Sequence, residues 1–195
     1  VSFEVGPSFK KAEFEDEAIF IGTDYSGKRP TFCDATFREE VSMDDAVFEN
    51  GVSFREAKFE EKATLSFRES IVNGREALFA DAEFKSPAYY EESVFNKGAE
   101  FSDVTFGSDA NFRKCIFNKG ASFEDASFKG RSTFELCRFN GMDAIYEETE
   151  FQSGANFSDA YFGGLEVNFN NALFKSGLND PGIDFNNSKF DNTKV

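Results

Sequence analysis

The sequence predicts an all-β solenoid, a rod of stacked coils with an aromatic core. Three observations lead to this fold class. First, 28 of the 195 residues are Phe, whereas Trp and His are absent. Second, the aromatic residues from Phe95 to Phe139 recur at alternating steps of six and five residues. Third, the residue two positions before each aromatic is small, as in Ala99, Ala110 and Ala121. These steps match neither the helical period of about 3.6 residues nor the strand period of about two.

Each repeat unit has the pattern of a short extended segment followed by a corner. In an extended chain, a central aromatic and the residue two before it point to the same side. The two residues after the centre are often polar or Gly, and these residues turn the chain readily. Stacking such units buries the apolar positions and pairs the backbone groups, as in other solenoids. We count 34 centres in the chain, and 28 of them are Phe. The other six are Tyr25, Met43, Val72, Tyr90, Tyr146 and Asp180.

The repeat resembles that of the pentapeptide-repeat family, in which a small residue, a variable one and a central Leu or Phe precede two variable positions. Ala35-Thr36-Phe37, Ala126-Ser127-Phe128 and Ala160-Tyr161-Phe162 carry this pattern. The resemblance implies a right-handed quadrilateral β-helix, and a three-sided coil is the alternative. With one extra residue at alternate corners, a coil has roughly 22 residues, and 34 centres give about 8.5 coils. We expect a solenoid over residues 1–177 and a degenerate final coil that caps it over residues 178–195.

Four faces predict which residues form the core. Taking every fourth centre gives columns that begin at Phe3, Phe9, Phe14 and Phe20, here called faces one to four. The same count puts Phe185 on face one, Phe190 on face two and Asp180 on face four. The predicted core includes the following central residues of the middle coils: Phe48, Phe54, Phe59, Phe95, Phe101, Phe106, Phe112, Phe117, Phe123, Phe128, Phe134 and Phe139. Cys115 and Cys137 occupy the same inward small position on adjacent coils, either as buried thiols or within reach of a disulfide.

Composition excludes several functions. Without His there is no Ser-His-Asp triad, no Cys-His pair and no His-ligated metal, so we predict no catalytic, metal or cofactor site. The net charge of −15 argues against direct binding to nucleic acid, which requires a basic surface. Mean hydropathy is −0.46, and no apolar run approaches the roughly 20 residues of a membrane span.

Two columns of outward residues are candidate interaction surfaces. The first, the acid column, is the second residue after face two in six successive coils: Asp34, Glu56, Asp81, Asp103, Asp125 and Glu148. A shorter acidic run follows face four at Asp45, Glu69 and Glu92. Stacked like charges repel, so some benefit must offset them. One explanation is local, with the carboxylates accepting hydrogen bonds from N–H groups at the corners. The other is recognition of a basic partner.

The second column, the apolar strip, is the outward mid-strand position of face one. It consists of Val47, Ile71, Val94 and Ile116, and then of Tyr161 beyond Arg138. Exposed β-branched residues are explained either by strand propensity or by a partner, and a second copy of this chain would suit the strip. Beside it, Asn73, Asn96, Asn118 and Asn140 predict a ladder of side-chain amides at the turns.

These features favour a non-enzymatic protein–protein interaction or scaffold module that presents flat faces to a protein partner. The alternative, which the family resemblance implies, is an acidic DNA mimic that binds a type II topoisomerase such as gyrase and inhibits or protects it. The acid column and the net charge agree with that alternative. The resemblance also implies dimers joined through a C-terminal helix, and residues 178–195 show no amphipathic helical period.

Overall fold

The computed structural model describes residues 2, 4–141, 143–175, 182–191 and 194, and these residues contain strands, turns and no helix. The chain winds as a β-solenoid with four parallel sheets, one for each face. Three sheets have eight strands each and one has six. Every strand is two residues long and pairs in parallel with the equivalent strand of one or both neighbouring coils. The predicted all-β solenoid with four faces is therefore confirmed.

The strands of each face follow one another at intervals of one coil. Face one contains Asp24–Tyr25, Val47–Phe48, Ile71–Val72, Val94–Phe95, Ile116–Phe117, Arg138–Phe139, Tyr161–Phe162 and Lys189–Phe190. Face two contains Val52–Ser53, Ala77–Leu78, Ala99–Glu100, Ala121–Ser122, Ala144–Ile145 and Val167–Asn168. Face three contains Glu13–Phe14, Thr36–Phe37, Lys58–Phe59, Glu83–Phe84, Thr105–Phe106, Ser127–Phe128, Glu150–Phe151 and Leu173–Phe174. Face four contains Ala18–Ile19, Val41–Ser42, Leu65–Ser66, Ala88–Tyr89, Ala110–Asn111, Ser132–Thr133, Ala155–Asn156 and Ile183–Asp184.

The coils are slightly longer and fewer than the sequence suggests. From Phe14 to Phe174 the chain advances 160 residues in seven steps along face three, about 23 residues per coil. The expected value of 22 is too low because four of the steps from face one to face two have seven residues, and one step from face three to face four has eight. The solenoid has about seven turns rather than 8.5, since the eight strands of faces one, three and four are separated by seven steps of one coil.

The last coil follows a different register from the one expected. Lys189 pairs with Tyr161, and the Phe190 ring stacks on Phe162, so Phe190 lies on face one rather than face two. The Phe185 ring stacks on Phe157, so Phe185 lies on face four rather than face one. The step of five from Phe185 to Phe190 is therefore the normal step between these two faces. Counting Asp180 as a centre caused the error, and Asp180 itself lies outside the described residues.

Aromatic rings fill the axis of the rod. Along each face the rings stack from coil to coil, for example Phe112 on Phe134 at 5.0 Å between centroids and 1° between planes. Across the axis, rings of faces two and four meet edge to face, as Phe101 and Phe112 do at 5.2 Å and 84°. Both arrangements are favourable for aromatic pairs. All twelve of the core Phe residues named from the sequence are buried, with at most 1% of their surface exposed.

One substitution in the aromatic columns is compensated by a neighbouring face. Val72 is the only aliphatic centre among the described residues of face one, and it leaves that column short of a ring. Phe67 of face four turns into the gap and stacks between Phe48 at 5.5 Å and Phe95 at 6.3 Å. The repeat unit centred on Phe67 begins after a step of eight residues from Phe59, which is the longest step between centres in the middle coils. The core thus keeps its density where the repeat is least regular.

Candidate functional site

Each coil has two short corners, one after face two and one after face four, and both are built in the same way. At most of these corners, the carbonyl of the central residue accepts a hydrogen bond from the N–H three residues later, as in Ala126 to Phe123 at 3.0 Å and Cys137 to Phe134 at 3.1 Å. The third residue of each such turn has a positive φ, for example +58° at Asp103. These corners are β-turns with a left-handed third residue, a position that favours Gly, Asn and Asp.

The acid column occupies this left-handed position after face two. Its six members have φ between +55° and +60°. Asp34 is half-buried and the other five are exposed. A shallow depression of about 540 Å³ lies beside the first three acids, and it is lined by Asp34, Thr36, Glu56, Lys58 and Asp81. The predicted column is thus one continuous acidic edge of the rod. Whether a partner uses it stays a prediction.

The local explanation for these acids is wrong, because the corner N–H groups are bonded elsewhere. The N–H groups of Asp103 and Asp125 donate to carbonyls of the next coil, at Glu124 and Glu147, over 2.9 and 3.0 Å. The preceding corner N–H, at Glu124, donates to the Ser122 hydroxyl at 3.4 Å. The left-handed conformation of the turn explains why Asp is tolerated at this position. It does not explain why a charged carboxylate is present there, or why Glu occurs.

The charge of the acid column is largely uncompensated. Asp34 lies 3.8 Å from the Lys10 ammonium. Within the part of the chain that the structure describes, the other five carboxylates form no ion pair and accept no hydrogen bond. Slight burial raises the pKa of Asp103, and the neighbouring charges of Asp81 and Asp125 raise it further. The middle of the column is therefore a site of repulsion that a cationic partner would relieve.

The apolar strip forms a register-matched row on face one. Val47, Ile71, Val94 and Ile116 are cross-strand neighbours in successive coils, and Arg138 and Tyr161 continue the row. Ile71 is 37% exposed, while the other apolar members are half-buried. The row is in place, but its apolar surface is modest, and self-association through it stays a prediction.

A ladder of Asn amides borders the apolar strip. Asn96 donates to the amide oxygen of Asn73 at 2.7 Å, Asn118 to that of Asn96 at 2.7 Å, and Asn140 to that of Asn118 at 2.9 Å. Each side chain therefore donates along the rod axis to the preceding coil. The ladder stabilises the turns after face one, and its side chains are committed to one another rather than to a ligand.

The buried cysteines are free thiols that replace small core residues. Cys115 donates to the Tyr90 carbonyl at 2.9 Å and Cys137 to the Phe112 carbonyl at 2.8 Å. Burial, together with the neighbouring Cys137 thiol, raises the pKa of Cys115, so it is not an activated nucleophile. Among the described residues, no cluster of three or more Cys, Asp or Glu side chains is placed to hold a metal ion. Nor do they include a helix that could span a membrane.

The sequence analysis missed one cluster of opposite charge. Lys28, Arg29 and Arg75 meet at the long corners between faces one and two, where they line a cleft with Gly27 and Asn50. Lys28 and Arg75 both stand three residues after a centre, but Gly51 holds that position in the coil between them, so the basic residues do not form a continuous column in the repeat. The available signal was the recurrence of basic residues beside Gly at these corners, as also in Lys97-Gly98 and Lys119-Gly120.

Comparison with known proteins gives one family match and two similar solved structures. The family model described as pentapeptide repeats (9 copies) matches residues 79–127 and 101–144. A comparison with curated protein sequences finds no match. Two solved structures that this chain is similar to are QnrB1, a plasmid-mediated fluoroquinolone resistance protein, and HetL, a pentapeptide repeat protein involved in heterocyst differentiation regulation from the cyanobacterium Nostoc sp. strain PCC 7120. QnrB1 is 18% identical over 97% of this chain and 92% of its own, with a TM-score of 0.37. HetL is 14% identical over 97% and 87%, with a TM-score of 0.30.

The family match falls in the middle coils, where the small and aromatic positions alternate most regularly and where the strands of all four faces pair in register. The same four-sided coil continues on both sides of the matched region. Residues 79–144 of the chain are thus similar to the pentapeptide-repeat family.

Proposed function

We propose that this protein is a non-enzymatic interaction module and that the acid column is its partner-binding surface. The observation that carries the proposal is the set of five exposed carboxylates with no local partner, at corners whose backbone does not require them. Like charges stacked on adjacent strands repel each other, and each such pair destabilises the fold. A favourable interaction with a partner would offset this cost. A partner with a row of Lys or Arg side chains would bind along this edge.

The rod provides the regular spacing and the rigid backbone that such a binding surface needs. Stacked rings and in-register strands hold the carboxylates at intervals of roughly 4.8 Å, the spacing between adjacent strands. Because a turn hydrogen bond fixes the backbone of five of these six corners, little order would be lost when a partner binds. Electrostatic complementarity of this kind raises association rates and selects the partner.

The experiment compares the wild type with two variants of equal net charge. The acid-column variant carries Asp81→Asn, Asp103→Asn, Asp125→Asn and Glu148→Gln. The matched control carries Asp45→Asn, Glu69→Gln, Glu92→Gln and Asp159→Asn, at the equivalent corners after face four. In a pull-down from lysate, we expect the wild type and the control to retain the same basic protein and the acid-column variant to lose it. Retention by all three proteins would contradict the proposal.

A second candidate is a DNA mimic that binds a type II topoisomerase such as gyrase, as the family resemblance implies. The column's length supports it: six carboxylates in successive coils extend over roughly 24 Å, about seven base pairs of duplex DNA. Their charge density is lower than that of duplex DNA, which carries one charge per roughly 1.7 Å.

The test is supercoiling by purified gyrase. We expect the wild type and the face-four control to inhibit it and the acid-column variant to lose inhibition. Equal inhibition by the wild type, the face-four control and the acid-column variant would contradict a mechanism based on the acid column.

The apolar strip supports a separate proposal, a homodimer. Replacing Ile71 and Ile116 by Lys in one variant places two charges in the row of cross-strand neighbours. We expect this variant to be monomeric by light scattering at a concentration at which the wild type is dimeric. A wild type that is monomeric at the highest soluble concentration would refute the dimer and leave the acid-column proposal untouched.

A further inference from the structure

The basic cluster at the first long corners forms a built cleft in an otherwise acidic protein. The cleft has a volume of about 450 Å³, and its lining consists of Gly27, Lys28, Arg29, Asn50 and Arg75. It lies at the edge of face two opposite to the acid column, because the long corner precedes each face-two strand and the short corner follows it. Three cations therefore share one depression in a chain whose net charge is −15.

Gly51 provides the room in which the two Arg side chains meet. Arg29, Gly51 and Arg75 follow face one in three successive coils. A Cβ atom at Gly51 would lie 3.1 Å from Arg29 Nε and 3.1 Å from Arg75 Cβ, so both side chains pack against the bare backbone. Gly51 also has a φ of +77°, which disfavours any other residue. The glycine thus holds open the space that brings the two Arg residues together.

Within the described ranges of the chain, the side chains of the cleft's cations form no hydrogen bond or ion pair. Arg29 Nε is buried and has no hydrogen-bond acceptor among the described residues. Lys28, Arg29 and Arg75 form no ion pair there, whereas other basic residues such as Arg38 and Lys85 do. Burial lowers the pKa of Arg29, and the nearby Arg75 charge lowers it further, with Glu76 acting in the opposite direction. A buried donor without an acceptor is costly, and an anion would satisfy it.

We propose that this cleft binds a phosphate group, either as free phosphate or as part of a small phosphorylated ligand. Guanidinium groups donate paired hydrogen bonds to phosphate oxygens, and the Lys28 ammonium adds a third charge at the rim. Asn50 donates to the Gly27 carbonyl at 2.7 Å, so it fixes the wall of the cleft. The ligand is thereby held by Arg29 and Arg75, which approach it from the coils on either side of Gly51.

The test is calorimetric titration of the purified chain with inorganic phosphate, pyrophosphate and malonate at constant ionic strength. We expect saturable binding of phosphate or pyrophosphate, with weaker binding of malonate. The two phosphate probes distinguish a site for free phosphate from a site for a phosphoryl group on a larger ligand. Replacing both Arg29 and Arg75 by Gln should weaken phosphate binding at least tenfold.

The matched control replaces Lys97 and Lys119 by Gln. These two cations line another cleft on the same edge, where Glu76, Glu100 and Glu124 accompany them, and their loss changes the net charge equally. We expect the control to bind phosphate within twofold of the wild type. Arg75→Gln alone, at an exposed position, is the second variant should loss of Arg29 impair folding, and it should weaken binding at least threefold.

Three outcomes would overturn the proposal. They are the absence of saturable binding of either phosphate probe to the wild type, an equal loss of binding in the Lys97 and Lys119 control, and a preference for malonate. None of these outcomes bears on the acid column, because the variants leave its carboxylates in place. The phosphate-site proposal and the acid-column proposal are therefore tested independently.

Discussion

The two short corners of each coil have the same backbone and different side chains. After face two, the left-handed position holds an acid in six successive coils. After face four, the same position holds Asp45, Glu69 and Glu92, and then Lys114 and Leu136 interrupt the run. The φ values of all these residues lie between +54° and +62°. The backbone therefore does not decide which charges the corners carry.

The charges of the two columns are also balanced differently. Lys114 donates to Glu92 at 2.7 Å on the neighbouring coil, and this hydrogen bond and charge lower the pKa of Glu92. At the same height on the other corner, Asp103 has only carboxylates above and below it, and its pKa is raised. One column is partly neutralised within the chain, while the other is left available to a partner. That difference favours the proposal that a partner binds at the acid column.

The largest expected effect tests whether the two corners are equivalent in backbone strain. Asp103→Val and Lys114→Val each place a β-branched residue at a φ near +60°, where its side chain clashes with the backbone. We expect each variant to lose about 2 kcal/mol of unfolding free energy in chemical denaturation. Asp103→Asn is the control, because Asn tolerates this conformation. A Val variant as stable as the wild type would show that the corner is free to change its turn.

A smaller effect of opposite sign is expected at Leu136. This residue has a φ of +59° and is 37% exposed, so its conformation is strained while part of its side chain stays in solvent. Leu136→Gly should raise the free energy of unfolding by about 1 kcal/mol, because Gly adopts the left-handed region without a steric cost. Leu136→Ala is the control, since it removes the side chain and keeps the strain. If Ala stabilises as much as Gly, the gain comes from the side chain rather than from the turn.

The sequence predicts the solenoid and its columns well because both follow from one-dimensional periodicity. A residue such as Asp103 is placed by counting from Phe101, and its neighbours above and below are found one coil away in the sequence. The same counting fails at Phe185, where the irregular stretch after Phe174 is mistaken for a degenerate unit at Asp180. It fails again at Phe67, whose ring leaves its own column to fill a gap beside Val72.

The hydrogen bonds and the basic cleft could not be predicted because they depend on contacts between coils. The corner N–H of Asp103 appears available for a carboxylate until the carbonyl of Glu124 is placed opposite it. Arg29 and Arg75 are 46 positions apart in the sequence and stand at unequal offsets from their centres, so no column contains both. Their proximity follows only once Gly51 lies between them.

The smallest expected effect is the pH dependence of stability, which differs between the acid column at Asp103 and the corner after face four at Glu92. The raised pKa of Asp103 means that the folded chain binds this proton more readily than the unfolded chain does, so the repulsion is lost as pH falls through that pKa. The lowered pKa of Glu92 means the reverse, and its stabilisation is present near neutral pH and lost as pH falls through the lowered pKa. Asp103→Asn should therefore have a higher Tm than the wild type at about pH 7, by about 1–2 °C, and this advantage should shrink toward about pH 3.

Lys114→Gln is the matched change at the other corner, and its sign is opposite. It should have a lower Tm than the wild type at about pH 7, and this deficit should also shrink toward about pH 3 as Glu92 is protonated. Asn is favoured at a left-handed corner at any pH, so only the part of each difference that varies with pH reports the charge. Thermal unfolding of the three proteins across this range provides the measurement. A constant difference for Asp103→Asn would mean that Asp81 and Asp125 do not act on Asp103, and the acid column would then have no repulsion for a cationic partner to relieve.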